Sequence, residues 1–325
     1  MKTIFIAEPG SRLYCRRGGV YIATRDGRKI AITPDVDQII IASSRVGISA
    51  KAIRYLAREG IDVVILDVNG YPIARLYMPY INKTVATRVG QYEKILSGLG
   101  IEIAKELIYS KIMNQAQLLK YLAKSSREEW LRDLGYEVEA IATDLYSAKD
   151  LDRDRIMGFE AHASRKYWQA IASLIPENLG FRGRDPDSLD PFNMALNYGY
   201  GILYSVCEKA LVLAGLDPYL GVLHVAKSGR PSLTLDFVEM FRPIAIDKPL
   251  VIESKRLKID VVGNRLDYES RKRIAEIVLS NLSAKYRCSK IDRSMSLEEH
   301  IRREAWDLAK FFREGSVYKG FRVYL

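Results

Sequence analysis

A chain of 325 residues divides into roughly two domains of about 150 residues each, and 48% apolar plus Cys content against 28% charged excludes a disordered or collagen-like polymer. Fifty Lys and Arg against forty Asp and Glu leave a net charge of +10, a field that attracts polyanions, nucleic acid first among them. No run approaches the roughly 18 apolar residues of a membrane span, and MKTIFIAEPGS is too short an apolar start for a secretory signal, so no membrane association and a cytoplasmic address are expected.

Residues 1–78 read as a β-rich, sandwich-like domain, with β-branched runs at 3–6, 20–24, 29–32, 38–42, 63–68 and 73–77. Asp26-Gly27 and Asn69-Gly70 accept positive φ at both central turn positions, so each predicts a hairpin. One helix interrupts the strands, from Ser49 as N-cap to Gly60 as its stop. Residues 79–87, around Pro79, form a linker, and from 88 to 325 the period becomes helical. Ala104, Leu107, Ile108, Ile112, Gln115, Leu118, Leu119 and Leu122 predict a long helix over 101–123, followed by helices at 127–134, 137–147, 154–175, 191–214, 232–242, 269–287 and 297–313. The expected fold is therefore α+β: a small β-rich N-terminal domain with one helix, then a larger, almost wholly α catalytic domain.

The basic excess is spread over both parts, 12 basic and 7 acidic residues in 1–80 and 38 and 33 in the remainder. It is densest at 271–290, where Arg271, Lys272, Arg273, Lys285, Arg287 and Lys290 meet one acid, Glu276; a solvated helix face and a phosphate-tracking surface are equally good readings. Three cysteines far apart (Cys15, Cys207, Cys288) suit reduced thiols rather than a disulfide framework, and three histidines (His162, His224, His300) make a His/Cys zinc site hard to assemble. The informative stretch is 220–243, LGVLHVAKSGRPSLTLDFVEMFRP. Its Asp236 and Glu239, three apart on a predicted helix, project from one face. Taken singly, His224 reads as a core histidine, Asp236 as a helix cap, Glu160 as a salt-bridged surface acid and Arg242 as a partner of the acidic helix.

Taken together, residues 158–168 (GFEAHASRKYW), 193–204 (NMALNYGYGILY) and 220–243 resemble, in order and separation, the signature regions of the CRISPR-associated protein one family, integrases and endonucleases of spacer acquisition in antiviral defence. The resemblance covers nearly the whole chain. It implies one metal site, catalytic and built from Glu160, His224 and Glu239, with Asp236 in support and Asn193, Asn197, Tyr198 and Tyr200 lining the same cleft. The residue after the motif Glu, often Gly in the family, is Ala161 here, and the third ligand, often Asp, is Glu239.

Two carboxylates and an imidazole suit Mg2+ or Mn2+. Such an ion activates water for hydrolysis or a DNA 3'-OH for strand transfer. Exchange of one phosphodiester for another needs no ATP, and the absence of GxxxxGK[ST] agrees with no nucleotide cofactor. Arg165, Lys227, Arg230, Arg271, Lys272 and Arg273 are candidate DNA contacts. The resemblance further implies double-stranded DNA as substrate, a homodimer, and a small ferredoxin-like partner, the second CRISPR-associated protein. Two other readings stay open on residues alone: a branched-DNA nuclease of repair or recombination, and a non-catalytic DNA-binding scaffold.

Overall fold

A computed structural model of the chain describes residues 2–76, 84–224 and 229–325. The N-terminal strands are β1 (Lys2–Ile6), β2 (Arg12–Arg16), β3 (Gly19–Ala23), β4 (Lys29–Ala31), β5 (Val36–Ile41), β6 (Gly47–Ile48), β7 (Asp62–Leu66) and β8 (Pro72–Leu76), with α1 (Ala50–Arg58) between β6 and β7. They form two four-stranded sheets, ordered β1-β5-β7-β8 and β4-β3-β2-β6. In the first sheet β1, β5 and β7 run parallel (Ile4 opposite Ile39, Ile39 opposite Val63), and β8 returns antiparallel.

The apolar run Ile39–Ala42, at and just past the end of β5, follows from burial on both faces. Because successive side chains point to opposite faces, Ile39 and Ile41 enter a core shared with Leu13, Ile22 and Leu56, whereas Ile40 and Ala42 enter the core shared with the helices. Ser49 caps α1 by accepting the Ala52 N–H at 3.2 Å, and Gly60 takes φ +70° just beyond it, as its position predicts. Asp26-Gly27 lies between the antiparallel strands β3 and β4, and Asn69-Gly70 between β7 and β8. Strand β2 has no counterpart among the expected runs. Its two arginines mask the pattern, and its hairpin to β3 is turned at Arg17 and Gly18, φ +49° and +82°.

The helices are α2 (Val85–Leu96), α3 (Gly100–Ser126), α4 (Glu129–Ser147), α5 (Arg153–Leu174), α6 (Pro191–Leu213), α7 (Ser232–Val238), α8 (Lys248–Glu253), α9 (Tyr268–Ser283) and α10 (Leu297–Glu314). Short strands β9 (Val261–Val262), β10 (Arg265–Leu266), β11 (Lys285–Cys288), β12 (Ile291–Ser296) and β13 (Val323–Tyr324) lie among them. The C-terminal part is therefore mainly but not wholly helical. The helix expected to run to 287 stops at Ser283, and Lys285–Cys288 pairs instead with β12 and β13. The helices expected at 127–134 and 137–147 are one, because the Gly135–Tyr136 stretch continues the helix with Gly135 packed against α3. The helix expected over 232–242 ends at Val238. Pro243 has no N–H to donate to the Glu239 carbonyl, and residues Pro243–Asp247 widen into a π-turn. Of the expected linker, 79–83 lie outside the described residues, as does Tyr77, and Val85 already opens α2.

The first sheet is fastened to α6. Arg75 of β8 pairs with Asp62 at 3.2 Å and donates to the Ser205 carbonyl at 2.7 Å, and Lys209 pairs with Asp37 at 2.8 Å. The Asn69-Gly70 turn rests on the same helix so closely that a Cβ on Gly201 would stand 1.9 Å from the Gly70 carbonyl oxygen. Helix α3 is buried on most of its surface, and its Asn114 amide binds the carbonyls of Met240 and Phe321 at 2.7 and 2.9 Å. That contact holds the end of the α7 segment against α3.

Candidate active site

Asp236, fully buried on α7, organises the first half of the site. Its Oδ2 accepts the backbone N–H groups of Val222 and Leu223 at 2.6 and 2.9 Å, and its Oδ1 accepts that of His224 at 2.9 Å and lies 2.5 Å from His224 Nδ1. The approach leaves no room at residue 221, where a Cβ would come within 2.6 Å of Asp236 Oδ2; glycine is the residue that fits. With Nδ1 committed to a carboxylate, Nε2 is the ring nitrogen left for a ligand.

The second half gathers two carboxylates on one cation. Lys111, buried on α3, places Nζ 2.5 Å from Glu160 Oε1 of α5 and 2.6 Å from Glu239 Oε2, just past the end of α7. Arg242 pairs with the other Glu239 oxygen at 2.6 Å, so it is indeed the partner of this acid. Burial pushes the Glu239 carboxyl up, but Arg242 and Lys111, aided by His224, outweigh it and hold the group below the usual carboxylate range. Burial likewise pulls Lys111 down, and Glu239 and Glu160 outweigh it, so the ammonium keeps its proton more firmly than an ordinary lysine.

Beside these carboxylates lies a cavity of about 250 Å³ whose lining includes Lys111, Glu160, Arg184 and Arg242 together with Tyr71, Trp168, Tyr200 and Tyr204. Arg242 sits over the rings of Tyr200 and Tyr204, 4.9 and 5.5 Å from their centroids, and Arg184 over Tyr200 at 5.3 Å. Tyr200 and Tyr167 donate their hydroxyls to buried Asp247 at 2.6 and 2.9 Å. Burial pushes the Asp247 carboxyl up to about 6 against a usual 3.8, despite the two tyrosine hydroxyls and the two arginines. The folded chain therefore holds a proton that the unfolded chain releases between these values, so this group's stabilisation is full at low pH and is lost as pH rises through about 6. Asp247→Asn is expected to remove that component: the melting-temperature difference between wild type and variant should change between pH 4 and 7, roughly, and be flat outside it.

The remaining expected residues are dispersed. Asn193 and Asn197 do not face Glu160 directly but grip Arg184, accepting its two terminal nitrogens at 3.0 and 2.6 Å. Tyr198 is buried beneath the Asn69-Gly70 turn, and it is Tyr200 that lines the cavity. Arg165 is exposed on α5 and Arg230 is exposed at the start of α7; Lys227 lies outside the described residues. On α9, Arg271 bonds the Asp267 carbonyl at 3.3 Å and Arg273 the Lys258 carbonyl at 2.6 Å, while Lys272 borders a groove along β1; none lines the Lys111 cavity. Lys111, Arg184 and Asp247 were not anticipated. Lys111 left a readable signal: it stands four after Leu107 and four before Gln115, on the apolar face of its helix, where a charge needs a buried partner.

Two carboxylates converging on one cation, with an imidazole acting electrostatically on one of them, are donor chemistry that Mg2+ or Mn2+ accepts. Glu239 Oε2 in particular is buried with no hydrogen bond of good geometry, its partner being the Lys111 charge. Among the described residues no three His, Cys, Asp or Glu side chains stand at ligand spacing, and it is Lys111 that lies between the two glutamates.

The model of the CRISPR associated protein Cas1 family matches residues 4–278. The chain belongs to this family. The CRISPR-associated endonuclease Cas1 of Hyperthermus butylicus is 41% identical over 329 residues, covering 99% of this chain and 98% of its own. A solved structure, a casposase bound to integration product, superposes with TM-score 0.84 at 25% identity, covering 98% of this chain and 93% of that one. The Cas6-RT-Cas1–Cas2 complex contains a chain that matches with TM-score 0.75 at 20% identity, over 97% of this chain and 35% of that one. The three segments that resemble the Cas1 family thus belong to a likeness running through nearly the whole sequence. No helix among the described residues is long and apolar enough to cross a membrane.

Proposed function

We propose that the chain is a metal-dependent DNA endonuclease and integrase of CRISPR spacer acquisition, joining 3'-OH ends of short duplex DNA to a CRISPR repeat. The observation that carries this reading is the convergence of Glu160 and Glu239 on one cation, with the Asp236-oriented His224 near enough to help hold the charge of Glu239. Glu160, Glu239 and His224 would hold Mg2+ or Mn2+, which supplies phosphodiester polarisation and a hydroxyl of lowered pKa.

The chain's own groups do the rest. Arg184 and Arg242 bring positive charge to the cavity wall and neutralise phosphate, and their fixation by Asn193, Asn197, Tyr200 and Tyr204 spares the cost of ordering them during reaction. Tyr71 and Trp168 offer faces on which an unpaired base stacks. Asp236 keeps a proton on His224 Nδ1 and so aims Nε2. Arg165, Lys227, Arg230, Arg271, Lys272 and Arg273 meet backbone phosphates away from the reacting bond. A second copy of the chain and a small ferredoxin-like partner, in line with the Cas1–Cas2 complex among the structural neighbours, would present both ends of the duplex.

A labelled duplex with free 3'-OH ends, incubated with a repeat-containing plasmid and Mn2+, tests the reading. Covalent joining that EDTA abolishes is the expected result. Products of hydrolysis alone would favour a branched-DNA nuclease, and DNA binding without any metal-dependent product would leave a scaffold.

A further inference from the structure

We infer that the Lys111 ammonium is a built-in counter-cation of the Glu160–Glu239 pair, competing with a divalent cation for the same carboxylate oxygens; this rests on the proposed reading of that pair as the cation site. The side chain is buried in α3 and reaches both acids at once, 2.5 Å from Glu160 and 2.6 Å from Glu239. A buried charge is tolerated only when paired, and the buried carboxylate of Glu239 beside the partly buried one of Glu160 needs the same remedy. One lysine meets both needs, as a compact point charge with three donors.

The local ledger shows why the two cations compete. The charges of Glu160 and Glu239 are matched one for one by those of Lys111 and Arg242, so a dication entering beside an unmoved Lys111 gains no net negative charge from these four groups and meets one ammonium at close range. Arg242 engages the other oxygen of Glu239 and can stay. Lys111 alone sits between the two acids, and it also lines the adjoining cavity, which gives its unbranched stem an open place to swing into. There its charge would face the phosphate side of the site. The lysine thus keeps the carboxylates together without a dication and yields to one.

The test measures Mn2+ binding by titration of free Mn2+ in its EPR signal, and melting temperature with and without Mn2+, on the full chain. Lys111→Met keeps the length and removes the charge. It is expected to bind Mn2+ about tenfold tighter or more than wild type, to melt lower without the ion, and to gain more on its addition. Lys111→Gln carries the same measurements if the Met variant does not fold. Unchanged or weaker Mn2+ binding in the neutral variant, while Glu239→Gln abolishes binding, overturns the inference and leaves the cation site standing. Equal binding by wild type and Glu239→Gln overturns both.

Discussion

Replacing His224 by alanine is expected to lower duplex joining and DNA cleavage about 1,000-fold, while DNA affinity stays within severalfold of wild type. The imidazole is partly exposed and contributes little to the core, but its Nδ1 is tied to Asp236 at 2.5 Å and its Nε2 is left for chemistry. Removing the ring leaves Asp236 with the N–H groups of Val222, Leu223 and His224, so the surrounding backbone keeps its acceptor and the variant should fold. DNA affinity should survive because it comes from many phosphate contacts spread over a basic surface. Filter binding and a gel assay of labelled product separate the two quantities. Activity within about tenfold of wild type would take His224 out of the reaction.

Asp236→Ala should act in the opposite proportion, on the fold as well as the chemistry. Three backbone N–H groups and one imidazole lose their common acceptor, and two of those N–H groups, of Val222 and Leu223, lie in the buried interior. Buried donors without partners cost about 1–3 kcal/mol each when nothing relaxes, and loss of one buried charged partner costs about 3–5 kcal/mol in all. A melting temperature lower by roughly 5–10 °C follows, together with loss of joining at temperatures where the variant is still folded. Asp236→Asn, which keeps an oxygen for the amides, should recover part of the stability. If Asp236→Ala melts with wild type, the carboxylate is not what holds the 222–224 segment.

The contrast between these variants reflects how the segment is built. His224 projects from a short loop, whereas Asp236 binds that loop's backbone from the helix that follows, and Gly221 lets the two come together. The Gly221, His224 and Asp236 spacing is local and stands in plain view in the sequence. Their hydrogen bonds join positions 12 to 14 residues apart within one continuous segment, so no distant part of the chain is needed to bring them together.

Much of the fold was legible for the same reason. The hairpins at Asp26-Gly27 and Asn69-Gly70, the Ser49 cap and the apolar period of α3 depend on neighbours in the chain, where backbone preference and side-chain periodicity act directly. The losses also have local causes: two arginines hid β2, and Pro243 cut short a helix whose apolar period ran on. What tertiary structure alone decided is which charges meet. Glu160, taken by itself, was an ordinary surface acid, and Lys111 sat unremarked within an apolar stripe. Only when α3, α5 and the end of α7 pack together do the ammonium and the two carboxylates share one buried point. Burial makes each charge costly until it finds an opposite one, and that partner is chosen by the packing of distant helices, a relation no stretch of sequence contains.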